Sequence, residues 1–128
     1  MTQSSEFSDH ISNRFNQDLE DLRNNVLKMG GLVEDQLNKA IKAITNGDSE
    51  LGLQVVDGDE AVNAMQTEIY EECLRILATR APAAIDLRLI IAIIKAITDL
   101  ERIGDESDKI GDLSSKLAAM DSPNESYI

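Results

Sequence analysis

The residues best suited to chemistry in this sequence are acidic, and they lie where a helical pattern predicts apolar side chains. Glu101, Asp105 and Asp108 continue an apolar stripe at spacings of three and four residues. Asp59 and Asn63, four residues apart, lie on a similar stripe in an earlier segment. Helical bundles build metal sites from carboxylates that project inward from facing helices. An all-oxygen set of ligands favours Mg, Mn, Ca or oxidised Fe over Zn or Cu.

A buried carboxylate must be neutralised, because an unpaired charge in an apolar interior is costly and a second carboxylate beside it increases that cost. Protonation, a neighbouring cation such as Arg102, or a divalent or ferric metal ion (Mg, Mn or Fe) would each serve. The acids are instead solvated if the stripe rotates outward near the end of its helix. The pattern alone leaves these alternatives open.

Other chemistries have little support, and the sequence predicts a protein that is not an enzyme. The single histidine, His10, lies in a polar segment, and no serine or cysteine nucleophile has a recognisable base. The single cysteine, Cys73, cannot form an internal disulfide, which fits a reducing cytoplasm. The formal net charge of −12 argues against binding to nucleic acid or anionic lipid. The most apolar stretch, residues 87–100, is too short to span a bilayer, so membrane insertion is not expected.

Apolar spacing predicts an all-α protein, an elongated antiparallel three-helix bundle. The predicted segments are a polar N-terminal segment (1–8), helices at about 9–45, 49–78 and 83–118 within one domain (9–118), and a linker or tail (119–128).

Two features of these helices bear on packing. Gly30 and Gly31 lie within the first predicted helix, where they cost about 2 kcal/mol in helix propensity relative to two alanines. Close approach of a neighbouring helix or a local bend would explain the pair. The third helix is apolar almost all round in its first half, so we expect it to contact another domain or another subunit as well. A homo-oligomer, most simply a dimer, is therefore predicted.

Several blocks of residues form a recognisable pattern along the chain. In chain order the blocks are His10–Ser12, Phe15–Asn16, Met29–Glu34, Gly58–Asp59 with Asn63, Glu71–Ala78, Asp86–Ile90 and Leu100–Asp105. Together they resemble one family of bacterial phosphate-signalling proteins, the PhoU family. The similarity covers roughly residues 10 to 118, and its most specific parts are the last two blocks.

The resemblance implies an all-helical protein of two three-helix repeats that binds metal through facing E(D)xxxD motifs. Glu101 and Asp105 match this motif fully, whereas Asp59 and Asn63 match it with asparagine in the last place. Asp108 lies on the same helical face but is not a motif position.

The function implied by the resemblance is a metal-binding regulatory adaptor of phosphate uptake. Such a protein is a negative regulator of the phosphate-starvation response. It couples the phosphate ABC transporter to the sensor histidine kinase at the inner face of the membrane, and is therefore cytoplasmic.

Family members are about twice as long as this chain, so the sequence resembles one repeat, either part of a longer protein or a natural single repeat. Two other interpretations compete with the adaptor. A metal-free helical interaction or oligomerisation module would be expected to keep apolar residues at Glu101 and Asp105. A di-metal carboxylate enzyme usually recruits histidine as a ligand, and the one histidine is distant in sequence.

Overall fold

The fold is an all-α bundle of three long helices, as the sequence predicts. It is known here from a computed structural model, which describes the backbone of residues 2–125 and the side chains of Glu6 and residues 13–120. At 1.5 Å per residue, the longest helix extends about 65 Å. All three pairs of helices are in contact. The helices are α1 (Thr2–Asn46), α2 (Ser49–Arg80) and α3 (Ala84–Glu125).

Short connections make successive helices antiparallel. Gly47 adopts a left-handed conformation at φ 65°, which glycine tolerates without steric cost. Asp48 then caps α2, its side chain accepting a hydrogen bond from the Leu51 amide at 3.0 Å. At the other end of α2, Ala81 is left-handed at φ 43° and precedes Pro82, which disfavours continued helix in the residue before it.

Two boundaries differ from the sequence-based ones. Helix α1 begins at Thr2, within the predicted polar segment, and α3 continues to Glu125, through most of the predicted linker. Pro123 lies in the last turn of α3, which ends two residues later. A proline ring there removes one backbone hydrogen bond and crowds the carbonyl four residues earlier, so it disfavours further helix. Residues 126–128 of the predicted tail lie outside the described residues.

Large aliphatic side chains fill one end of the bundle. Cys73 belongs to this core, and burial first, with the charge of Glu72 second, raises the pKa of its thiol to about 11. At neutral pH this cysteine is a protonated apolar residue and not a nucleophile. The buried core cluster comprises Leu22, Met29, Val33, Val62, Ile69, Cys73, Ile76, Ile90 and Ile97.

Small residues fill the other end, where α2 and α3 approach each other closely. A Cβ atom built on Gly52 would lie 2.6 Å from the carbonyl oxygen of Gly111, so α2 and α3 touch backbone to backbone there. Ala40 and Ala43 of α1 are fully buried at this end. By contrast, no atom lies within 4 Å of a Cβ built on Gly30 or Gly31. Close helix approach, one of the two explanations open for that pair, therefore does not apply.

Beside the aliphatic end, one carboxylate joins α1 to the last two turns of α2. Asp18 accepts hydrogen bonds from Arg75 at 3.0 Å and Arg80 at 2.9 Å. Burial opposes ionisation of Asp18, but the two arginines outweigh it, so the pKa of this carboxyl is lowered. A lowered pKa in the folded state stabilises the protein above the ordinary carboxyl pKa. That stabilisation is lost as the pH falls through the lowered value.

We therefore expect Asp18→Asn to reduce the free energy of unfolding at pH 7 by about 2 kcal/mol. The substitution removes the carboxylate that pairs with Arg80 and one of the two that pair with Arg75, which keeps its contact with Glu72. Denaturant titrations from pH 7 to pH 2 would measure this. The difference from the parent protein should shrink in acid, where Asp18 is protonated. The exposed neighbour Asp21 is the control, and Asp21→Asn should have little effect. A constant difference at all pH values would contradict the ion-pair explanation.

Several apolar side chains of α2 and α3 face solvent, as expected if α3 contacts more than its two neighbours. Ile85 is 80% exposed and Ile91 45% exposed. A groove of about 490 Å³ between the two helices is lined in part by Tyr70, Leu74 and Thr98. Within the described part of the chain, no helix combines the length and apolar character needed to cross a membrane.

Candidate metal centre

Three aspartates meet where α2 and α3 are in contact. Asp59 comes from α2, and Asp105 and Asp108 come from successive turns of α3. One carboxylate oxygen from each lies within 4.8 Å of the others, and all three residues are partly buried. Carboxylates at this separation repel one another unless a proton or a cation lies between them.

The register of α2 against α3 brings these residues together. On one side of the cluster is the backbone contact between Gly52 and Gly111. On the other side, a Cβ on Gly104 would lie 3.1 Å from a methyl group of Val62, so α3 lies close against α2 there too. Asp59 lies between these contacts on its helix. The two contacts therefore fix the separation of the helices across the cluster.

Of the three acids, Asp59 is the one with a fully buried carboxylate oxygen that has no partner. Its Oδ1 atom is buried and has no hydrogen-bond partner, while Oδ2 accepts a long bond of 3.4 Å from the Asn63 amide. Burial first, and then the charge of Asp105, raise the pKa of Asp59 above its ordinary value. Burial also raises the pKa of Asp108, with additional contributions from Asp59, Asp105 and Asp112. The site thus destabilises negative charge and favours a bound cation.

The donor set fits a hard metal ion. Three carboxylates offer only acceptor oxygens, and the orphaned Oδ1 of Asp59 is an available ligand in the cluster. Mg²⁺, Mn²⁺ and oxidised iron prefer such oxygens, with water completing the coordination sphere. Arg102, the cation considered as an alternative neutraliser, is exposed and forms no ion pair with the acids among residues 13–120.

The structure distributes the predicted site residues unevenly. Asp59 and Asp105, one from each predicted motif, are brought together, and Asp108 joins them. Asp108 was suggested by helical periodicity alone and not by the family motif. Glu101 is partly buried one turn from Asp105 but lies outside the group of three. Asn63 contacts the group through its hydrogen bond to Asp59.

One polar residue near the site escaped the sequence analysis. Gln36 of α1 is buried, and its side-chain amide donates a hydrogen bond of 2.7 Å to the carbonyl oxygen of Val55. The sequence indicates its position only weakly. Gln36 lies three residues after Val33 and four before Ala40, a spacing that places it on the core side of α1. A polar residue at such a position is informative only when its partner on another helix is known.

Comparisons with known proteins agree on one family. A family model described as the PhoU domain matches residues 26–114. The phosphate-specific transport system accessory protein PhoU of Serratia marcescens is 58% identical over 101 residues, which cover 79% of this chain and 42% of the relative. The protein of the same name from Escherichia coli strain K12 is 54% identical over 101 residues, which again cover 79% of this chain and 42% of the relative.

A solved structure is also similar. The crystal structure of PhoU from Pseudomonas aeruginosa matches with a TM-score of 0.81 and 52% identity, over 83% of this chain and 51% of that one. The chain therefore spans about half the length, or less, of these proteins.

Proposed function

We propose, because this chain belongs to the PhoU family, that it is a metal-binding regulatory adaptor of phosphate uptake and not an enzyme. The observation that carries the proposal is the identity of 58% with a phosphate-specific transport system accessory protein over 79% of the chain. Similarity at that level over a whole three-helix unit supports a shared role more strongly than a shared fold would.

In this role the protein is a negative regulator of the phosphate-starvation response. It acts in the cytoplasm, at the inner face of the membrane, where it couples the phosphate ABC transporter to the sensor histidine kinase. An adaptor of this kind works by binding. The elongated bundle supports this, because its surface is long and the sequence shows no recognisable nucleophile and base.

The outer side of α3 supports a partner with an acidic surface. All five basic residues of α3 fall at intervals of seven, so they follow one side of the helix, and all are exposed. The first three form no ion pair within residues 13–120, whereas the last two pair with acids of α3. The chain as a whole has a net charge of −12, so a row of exposed positive charges differs from its generally acidic character. The five residues are Arg88, Lys95, Arg102, Lys109 and Lys116.

The metal part of the proposal assigns Asp59, Asp105 and Asp108 as the ligands that the geometry favours. The remaining motif residues complete the proposed site: Asn63, which is hydrogen-bonded to Asp59, and Glu101, one helical turn before Asp105. A bound Mg²⁺, Mn²⁺ or ferric ion would supply the positive charge that these acids lack. Asp59 of α2 and Asp105 and Asp108 of α3 would hold that ion between them and so connect the two helices.

A metal-free interaction or oligomerisation module is the alternative. The specific observation in its favour is the exposed apolar surface of α2 and α3, which includes Tyr70, Leu74 and Ile91. Such side chains favour burial against another protein surface. We propose that the chain forms a homo-oligomer, most simply a dimer, under either interpretation.

The regulatory proposal is tested by unfolding the domain in a cell that makes the protein. Ile97 is 1% exposed, so Ile97→Asp places an unpaired charge in the aliphatic core at a cost of several kcal/mol. We expect phosphate-starvation genes to be expressed constitutively in phosphate-rich medium, as measured with a reporter gene.

The matched control is Leu27→Asp, because Leu27 is 68% exposed and the same charge there should leave the fold intact. Repression should then remain normal. Normal repression in the Ile97→Asp strain, with the variant shown to be unfolded by circular dichroism, would refute the regulatory role.

A further inference from the structure

Helix α1 supplies none of the three clustered aspartates, yet one of its residues is connected to them. Gln36 is only 4% exposed, which is unusual for an amide side chain, and the other buried polar residues of the described core are the small residues Ser107 and Ser114. Its Nε2 atom donates to the Val55 carbonyl oxygen at 2.7 Å, from α1 to α2. Burial of an amide is costly unless it is hydrogen-bonded, so this bond is available only in one relative position of the two helices.

The bonded carbonyl belongs to the turn of α2 that carries Asp59. In an α-helix the carbonyl of residue i accepts the amide of residue i+4, so Val55 is the helical acceptor for the Asp59 amide. Gln36 and the backbone of Asp59 therefore share one acceptor oxygen. The side chain of Gln36 thus contacts the backbone one turn before the metal-site carboxylate.

Gly58 makes room for this contact. A Cβ atom built on Gly58 would lie 2.6 Å from Nε2 and 2.8 Å from Oε1 of Gln36, so the amide packs against the bare helix backbone. Gly58 thereby faces α1. Asp59 is the next residue and is rotated about 100° around α2, which directs it towards α3.

A single buried polar residue can set helix register, because apolar contacts alone tolerate small sliding and rotation. The best-attested example is a buried asparagine in a coiled coil, which fixes the alignment of the helices at some cost in stability. Gln36 meets the same description here, since it is a hydrogen-bonded amide within an apolar interface.

We propose that Gln36 is a positioning residue for the metal site: its hydrogen bond to the Val55 carbonyl, made against Gly58, sets the rotation of α2 that brings Asp59 to Asp105 and Asp108. This inference rests on the proposed metal function. If metal binds as proposed, its affinity also depends on α1, although this helix contributes no carboxylate to the cluster.

The test is Gln36→Met, which keeps the length of the side chain and removes its donor. The Val55 carbonyl keeps its helical bond to the Asp59 amide, so no acceptor is left unsatisfied and the unfolding temperature of the metal-free protein should be unchanged. Affinity for Mn²⁺, measured by calorimetry with manganese chloride, should fall about ten-fold or more, the size of effect seen when groups that orient metal ligands are removed. Gln54→Met is the matched control, because Gln54 is exposed on α2 next to Val55.

Gly58→Ala provides the second arm. The new methyl group should displace the Gln36 amide and lower Mn²⁺ affinity in the parent protein. In a Gln36→Ala background the same change should cause no further loss, because the space is already free. Equal losses in both backgrounds would overturn the proposal, as would parental affinity in Gln36→Met. If the parent protein itself binds no Mn²⁺, the metal function fails and this inference fails with it, whereas the other two results overturn the inference alone.

Discussion

Replacing Gly52 with alanine is expected to lower the free energy of unfolding by about 2 kcal/mol or more. The added methyl group would lie 2.6 Å from the carbonyl oxygen of Gly111, and because that oxygen belongs to the backbone of α3, the two helices must separate. Overpacking of this kind costs about 1 to 3 kcal/mol or more, which exceeds the gain of about 1 kcal/mol from replacing a helical glycine. Urea denaturation monitored by circular dichroism would measure the change.

Gly31→Ala is the matched control for this prediction. Gly31 is exposed in the middle of α1, and no atom lies within 4 Å of the position that its Cβ would occupy. The same substitution should therefore raise the free energy of unfolding by up to about 1 kcal/mol. Opposite signs at the two positions would support the close contact of α2 and α3, and stabilisation at both would contradict it.

Neutralising two of the clustered aspartates should abolish metal binding and at the same time stabilise the metal-free protein. In the double variant Asp59→Asn/Asp105→Asn, one ligand is changed on each helix, and the affinity for Mn²⁺ should fall at least 100-fold. Without metal, the variant has no charge to bury at position 59, and Asp108 is freed from the repulsion of Asp59 and Asp105 although it stays partly buried. The variant should therefore unfold at a temperature equal to or higher than that of the parent protein.

The double variant Asp57→Asn/Asp99→Asn separates a specific site from the effect of overall charge. Asp57 and Asp99 are exposed residues of α2 and α3, so this variant changes the net charge by the same amount. It should bind Mn²⁺ as the parent protein does. Equal binding by the parent and by the Asp59→Asn/Asp105→Asn variant, measured by calorimetry, would contradict the candidate site.

The sequence predicts the helices well because their signals are local. Apolar residues at intervals of three and four define each helix, and Gly47 and Pro82 mark the two turns. The helix ends were less predictable. A helix boundary is read from where the apolar pattern stops, and a polar segment such as 119–125 has no such pattern by which to decide whether the helix continues. The structure continues α3 through it as far as Glu125.

The candidate site was predictable only in part. Periodicity along one helix places Asp105 and Asp108 on the same side of α3, and so it identifies them from the sequence. The distance of Asp59 from this pair depends on the register between helices, which no local pattern specifies. Gln36 illustrates the same limit, because its role depends on a carbonyl 19 positions away and on the missing side chain of Gly58.

The glycines show how far residue type alone can mislead. Gly30 and Gly31 are the most conspicuous pair in the sequence, but a side chain at either would meet no other atom. Gly52 and Gly111 are isolated in the sequence, and each would clash with the other's helix if it had a side chain. Only the pairing of the helices distinguishes these two cases.

The uneven filling of the bundle has a consequence for its motions. Local opening costs least where few apolar contacts must be broken, and here that is the end built from glycine, alanine and serine. We expect the aliphatic end around Ile69 and Ile76 to open only with the whole domain. The clustered aspartates lie towards the other end, close to the contact of Gly52 with Gly111. A cation bound there would oppose local opening of that end, so its binding should change local dynamics before it changes global stability.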